Sequence, residues 1–196
     1  MKLRLLIERL TSTVYHATSY RRLIYVLKDN SIKLNLTKKS ALSYNPVDIK
    51  KYKYYLSLSR TMNSGYIIDT VKAGGIVIEL DGAMLSDNYK GKAVDWHGRI
   101  PIKDRRKLSS ASMKGAIDAT TFHGFYEAED RLYSKTMPEI RGIKKYIKAI
   151  HAVDVPSAFE GGYYKALNEI NKKFPIYLYK TEKDLLTNNK TKARKL

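Results

Sequence analysis

The apolar residues of this chain fall in short alternating runs, and that pattern constrains its fold more than any other feature. Residues 31–36 alternate, placing Ile32, Leu34 and Leu36 on one face of a strand, because successive strand side chains point to opposite sides. Residues 54–60 set Tyr54, Leu56 and Leu58 opposite Tyr55, Ser57 and Ser59. Residues 75–80 read as a buried strand closed by Asp81-Gly82. Further strands are predicted at 13–19, 124–133 and 146–153. Helical spacing is found in two places: at 20–28, where Leu23, Val26 and Leu27 recur and Ser19 can cap the first turn, and at 157–172. Residues 37–50 read as a loop and 83–121 as mostly polar and irregular. This order predicts an α+β domain: a mostly antiparallel sheet with flanking helices.

Length and charge narrow the class. A chain of 196 residues suits one well-buried domain, read as 1–186 with a basic, disordered tail at 187–196. The net charge is +18, from 37 basic and 19 acidic residues. Residues 1–60 carry 13 basic against 3 acidic side chains, residues 61–140 carry 11 of each, and residues 141–196 carry 13 against 5. A balanced middle between two basic ends suits a polyanionic partner, most simply DNA or RNA. No basic amphipathic helix with a matching apolar face speaks for a membrane. The start of the chain lacks a signal-peptide pattern and no apolar run approaches the ~18 residues of a membrane span. A cytoplasmic protein is the resulting expectation.

Metal and thiol chemistry find little support. There is no cysteine, hence no disulfide or thiolate site. The four histidines (His16, His97, His123 and His151) are far apart, with no pair at helical ligand spacing. No glycine-rich phosphate loop is present, since Gly74-Gly75 precedes a strand rather than a helix.

The carboxylates of Glu127 and Glu129 are the sharpest chemical signal. At i and i+2 on a strand they share a face, roughly 6–7 Å apart. One can stabilise a developing positive charge while the other orients or deprotonates a nucleophile. Taken alone, two such acids equally suit a solvated strand face.

Read in order, Tyr15-His16-Ala17-Thr18, the Ser57-Leu58-Ser59-Arg60 strand and Glu127-Ala128-Glu129 resemble the ADP-ribosyltransferase superfamily, and remotely its DarT-type members that modify nucleic-acid bases. Some relatives of this layout are phage-encoded. The likeness covers about residues 13–153. It implies an ADP-ribosyltransferase-like fold with a split sheet and NAD as co-substrate, without a metal. Cleaving the nicotinamide–ribose bond passes through an oxocarbenium-like state, which carboxylates stabilise. The resemblance assigns that role to Glu129, which would hydrogen-bond the ribose 2′-hydroxyl, with Glu127 orienting the nucleophile. It gives His16 and Thr18 to the ribose or carboxamide, Tyr55 or Tyr66 to the nicotinamide ring, and Arg60 to a phosphate. It makes Arg105, Arg106 and Lys107 candidates for nucleic-acid phosphate contacts.

The resulting expectation is transfer of ADP-ribose to a DNA or RNA base by a toxin, defence factor or phage modifier, with an antitoxin or immunity protein as a further possible partner. The same chemistry on a protein is one alternative. The other is a non-catalytic nucleic-acid-binding or virion-associated protein on the same fold. The enzyme reading asks that His16 and Glu129 stand on neighbouring strands and face one cleft; if they point to opposite sides of the sheet, the binding-module reading takes its place.

Overall fold

The structure is a computed structural model that describes residues 10–36, 52–93, 129–154, 167–170 and 173–196. Its centre is a large, mostly antiparallel sheet with few helices. β1 (Thr13–Thr18), β4 (Tyr54–Ser59), β5 (Ile76–Asp81), β7 (Glu129–Ser134) and β9 (Ile147–Val153) form its middle. β6 (Lys90–Ala93) lies at one edge, and β10 (Ile176–Tyr179) with β11 (Ala193–Lys195) at the other. The strand order is β11-β10-β9-β5-β1-β4-β7-β6, and β3 (Asn35–Leu36) adds to β4. Every pairing in the sheet is antiparallel except β9 with β10.

The alternation seen in the sequence sorts the two faces. Val14, Leu56, Leu58, Ile76, Ile78, Leu80, Leu132 and Ile150 form the main core on one face. α1 (Tyr20–Asp29) closes this face through fully buried Leu23. A small second sheet joins the same core, pairing β2 (Ser31–Lys33) with β8 (Glu139–Arg141). Tyr15, Ala17, Val77 and Tyr179 face the other way, beneath α2 (Gly65–Lys72) and α4 (Glu182–Leu186). The expected cap is in place: Ser19 Oγ accepts from the Arg22 amide, and Asn30 ends α1 in the left-handed region at φ 51°.

Several expectations need correction. The run at 31–36 divides: Ser31–Lys33 pair with β8, a register that the Leu34 amide extends to the Pro138 carbonyl, and Asn35–Leu36 pair with β4 instead. Residues 83–93, within the stretch 83–121 read as irregular, belong to α3 (Gly82–Asn88), capped by Asp81, and to β6. The tail expected to be disordered is partly a strand, since β11 pairs residue by residue with β10. Of the β11 side chains only Ala193 is apolar, packing against the second core, beside the charged Arg194 and Lys195. The open backbone edge of β10 supplies the hydrogen-bond partners. The expected helix at 157–172 is seen only at 167–170, the remainder lying outside the described residues, as does the 37–50 loop.

Candidate active site

β4 changes its partner along one edge, and the candidate site is built around that change. β1 meets β4 at a single register pair, Tyr15 with Ser59. At the other end of the same edge β3 takes over, pairing with Tyr54 and Tyr55. Between them, the Ser57 carbonyl meets His16 Nδ1 at 3.2 Å. A carbonyl only accepts, so Nδ1 carries the proton and Nε2 is left as an acceptor. Burial lowers the His16 pKa below the ordinary imidazole value; the Ser57 bond opposes this and the Arg22 charge adds to it. The ring is therefore neutral at pH 7.

His16, Ser57 with Ser59, and Glu129, far apart along the chain, lie on the adjacent strands β1, β4 and β7. Ser59 pairs with Tyr15 on one side and with Glu129 on the other. Directly opposed residues share a face, with roughly 5 Å between neighbours. Tyr15 also pairs with Glu79 of β5, so Glu129, Ser59, Tyr15 and Glu79 form one row across four strands. His16 belongs to the alternate set: it pairs with Ile78, while Leu58 pairs with Asp130. Contrary to the expectation of neighbouring strands facing one cleft, the register gives His16 and Glu129 opposite parity, with β4 between their strands. The β1 residue in Glu129's row is Tyr15.

Other expected contacts find different partners. Arg60, expected to hold a phosphate, forms an ion pair at 3.0 Å with buried Asp130. Asp130 Oδ2 also accepts from the amide and hydroxyl of Thr11, at 3.3 and 3.4 Å. The pair fastens the end of β4 to β7 and to the start of β1. Tyr55, a candidate for ring stacking, is buried with Tyr52 and Tyr133. The Arg131 guanidinium lies 4.8 Å from its ring centre. Tyr66 is better placed, in the first turn of α2, donating its hydroxyl to the Tyr15 carbonyl at 2.8 Å. Thr18 is buried at the end of β1. Glu127, Arg105, Arg106 and Lys107 lie outside the described residues.

A buried polar network next to the row was missed from sequence. His151 is fully buried; its Nε2 lies 2.9 Å from Glu79 Oε2 and its Nδ1 2.9 Å from the Tyr179 hydroxyl. Lys190 Nζ donates to the same Glu79 oxygen at 3.0 Å. Burial alone would raise the Glu79 pKa, but hydrogen bonds and charge from His151 and Lys190 outweigh it and bring it to about 2. Burial lowers the His151 pKa. An ionised Glu79 and a neutral His151 follow, with Nε2 donating to the carboxylate and Nδ1 accepting from Tyr179. Burial, with the Glu79 charge, pushes the Tyr15 hydroxyl up to about 12. The available signal was a single acid inside the apolar run 76–80 and a single histidine inside 147–153.

No protein-family model and no curated protein matches this chain. Among solved structures, Thermus sp. 2.9 DarT in complex with ADP-ribosylated ssDNA is similar over 82% of this chain and 90% of its own, at 10% identity and a TM-score of 0.45. Among the described residues, no group of three or more potential ligands is placed to hold a metal ion, and no helix is long and apolar enough to cross a membrane.

Proposed function

We propose that the protein is an NAD-dependent ADP-ribosyltransferase acting on a base of DNA or RNA. The observation that carries this reading is the pairing of Ser59 on β4 with both Tyr15 on β1 and Glu129 on β7. The chemistry breaks the bond between nicotinamide and ribose C1′; nicotinamide leaves with the bonding electrons, and C1′ bonds to a nucleophilic base atom. Glu129 is the residue to hydrogen-bond the ribose 2′-hydroxyl and offset positive charge growing on the sugar. Glu127 takes the acceptor's proton where the attacking base atom carries one. Tyr66, held over Tyr15 by its hydroxyl, supplies an aromatic ring for the nicotinamide. The net charge of +18 favours a polyanionic acceptor.

The deciding experiment incubates the protein with NAD labelled in its adenylate part and separate pools of DNA, RNA and protein. Label on nucleic acid, reduced about 100-fold or more in Glu129→Ala, is the expected result. Label confined to protein would move the acceptor class, and label retained by Glu129→Ala would remove Glu129 from the chemistry.

A second reading is favoured by one specific observation, the opposite register parity of His16 and Glu129. On that reading the chain is a non-catalytic nucleic-acid-binding module. No transfer to any pool, together with salt-sensitive oligonucleotide binding, is its signature.

A further inference from the structure

Away from the row, a groove with a volume of about 460 Å³ runs between α1 and the stretch that enters β10. α1 forms one wall with Ile24, Leu27 and Lys28. Ile170, Lys173 and Phe174 form the other, and Lys144 stands at the groove as well. Ile170 is buried, and Leu27 and Phe174 pack partly on the main core, so the groove has an apolar floor. Its three ammonium groups come from three separate stretches of chain. Asn30 holds two of those stretches together. Its carbonyl accepts from the Gly142 and Ile143 amides at 2.8 and 3.2 Å, and its Oδ1 accepts from the Lys144 amide at 3.0 Å. That clamp sets Lys144 beside the C-terminal end of α1, where Lys28 stands.

The solvent face of α1 continues the surface. Arg21, Ile24, Tyr25 and Lys28 recur at i, i+3, i+4 and i+7 and are all exposed, Tyr25 by 63%. An exposed tyrosine between cations is the composition of a base-stacking platform.

We propose that this groove and the exposed face of α1 bind single-stranded nucleic acid, the lysines meeting phosphates and Tyr25 and the apolar floor meeting bases. The assignment shares with the proposed function only the premise of a nucleic-acid partner and uses none of the residues of the row. Single strands are favoured over duplex because only unpaired bases can offer their faces to Tyr25, Ile24 and Phe174. Glu169, also on the groove, repels phosphate but can accept from a base amino group, which suits a strand lying with its bases inward. A flat anionic bilayer could use the lysines of one helix face, but lysines on opposite walls of a concave groove suit a narrow polyanion better.

The test measures anisotropy of labelled oligothymidylate and of the matching RNA across a salt series. It compares the full chain with Lys28→Ala/Lys144→Ala/Lys173→Ala, with Tyr25→Ala, and with Lys72→Ala/Lys180→Ala/Lys183→Ala on the other side of the sheet. Melting curves establish that each variant is folded, and the single lysine variants serve if the triple one is not. The groove triple variant should bind about tenfold or more weakly and lower the slope of log affinity against log salt by about 2, at ~0.7 per lost phosphate contact. Tyr25→Ala should weaken binding several-fold with the slope retained, and the remote triple variant should keep the affinity within about twofold. Equal losses from the two triple variants, tighter binding to duplex, or no binding by the wild type would each overturn the assignment. So would binding to phosphatidylserine vesicles in place of oligonucleotides. Unaltered groove binding with no ADP-ribose transfer would sink the enzymatic reading alone.

Discussion

His16 Nδ1 meets the Ser57 carbonyl at 3.2 Å at the point where β4 exchanges β1 for β3 as its neighbour. A side chain thus supplies a donor where the strand ladder stops. His16→Ala should leave that carbonyl to water, since Ser57 is only half-buried, and cost about 1 kcal/mol. For a chain of this size that is a fall of about 2–4 °C in melting temperature, read by calorimetry. NAD affinity measured by titration should fall as well if His16 contacts the cofactor; an unchanged affinity would remove His16 from its site.

Arg60 should behave as a structural residue. Arg60→Ala leaves Asp130 buried without its counter-ion and should cost about 3 kcal/mol. The double variant Arg60→Ala/Asp130→Ala should lose less than the sum of the two single variants. A folded Arg60→Ala protein of wild-type stability would show that the ion pair is not what Arg60 is for.

Acid should loosen the molecule in two stages. His151 and His16 have folded pKa values below the ordinary 6.5, so their contribution is complete above 6.5 and declines as pH falls below it. Glu79 is depressed from 4.5 to about 2, so its contribution is present above 4.5 and disappears as pH falls through about 2. Urea midpoints between pH 2 and 8 should therefore fall steadily on the acid side. In Glu79→Gln the lower stage should flatten, with a loss of about 2 kcal/mol at pH 7 from the charge-assisted bonds to His151 and Lys190. A wild-type profile level from pH 6 to 3 would contradict this.

Gly82 should resist even alanine. A Cβ there would collide with the Thr11 carbonyl, a backbone atom fixed where Gly82 N–H donates to the Ser12 carbonyl at 3.1 Å. Gly82→Ala should lower stability by about 1–3 kcal/mol, as overpacking does. Melting within about 2 °C of the wild type would mean that the β1–α3 junction can relax.

Ending the chain at Asn189 tests the corrected C-terminus. It removes β11 and takes Lys190 from Glu79. The shortened protein should melt several degrees lower and expose the edge of β10, seen as faster amide exchange at Ile176–Tyr179. Exchange at the full-length rate there would make the tail dispensable.

The alternation of Tyr54, Leu56 and Leu58 made β4 legible, because strand side chains write a period of two into the sequence, and the continuous apolar run at 76–80 made β5 legible as a strand buried on both faces. Ser19 likewise announced the start of α1. α2 was missed because Gly65–Lys72 is only eight residues long, too short to stand on helical propensity. It forms because Ile67 and Val71 cover Tyr15, Ala17 and Val77. β11 was missed because its pairing is made by backbone groups, on which side-chain pattern is silent.

The sequence by itself determined the faces of the alternating strands and the basic character, and it put forward His16 and Glu129, each within a short motif, as candidates. Only the tertiary structure decided who stands beside whom. Register set Tyr15 rather than His16 in line with Glu129, because a shift of one residue moves a strand side chain to the other face. It committed Arg60 to Asp130, 70 residues further along, and Glu79 to His151, 72 residues further along. Such partnerships depend on which strands become neighbours, which no local pattern records.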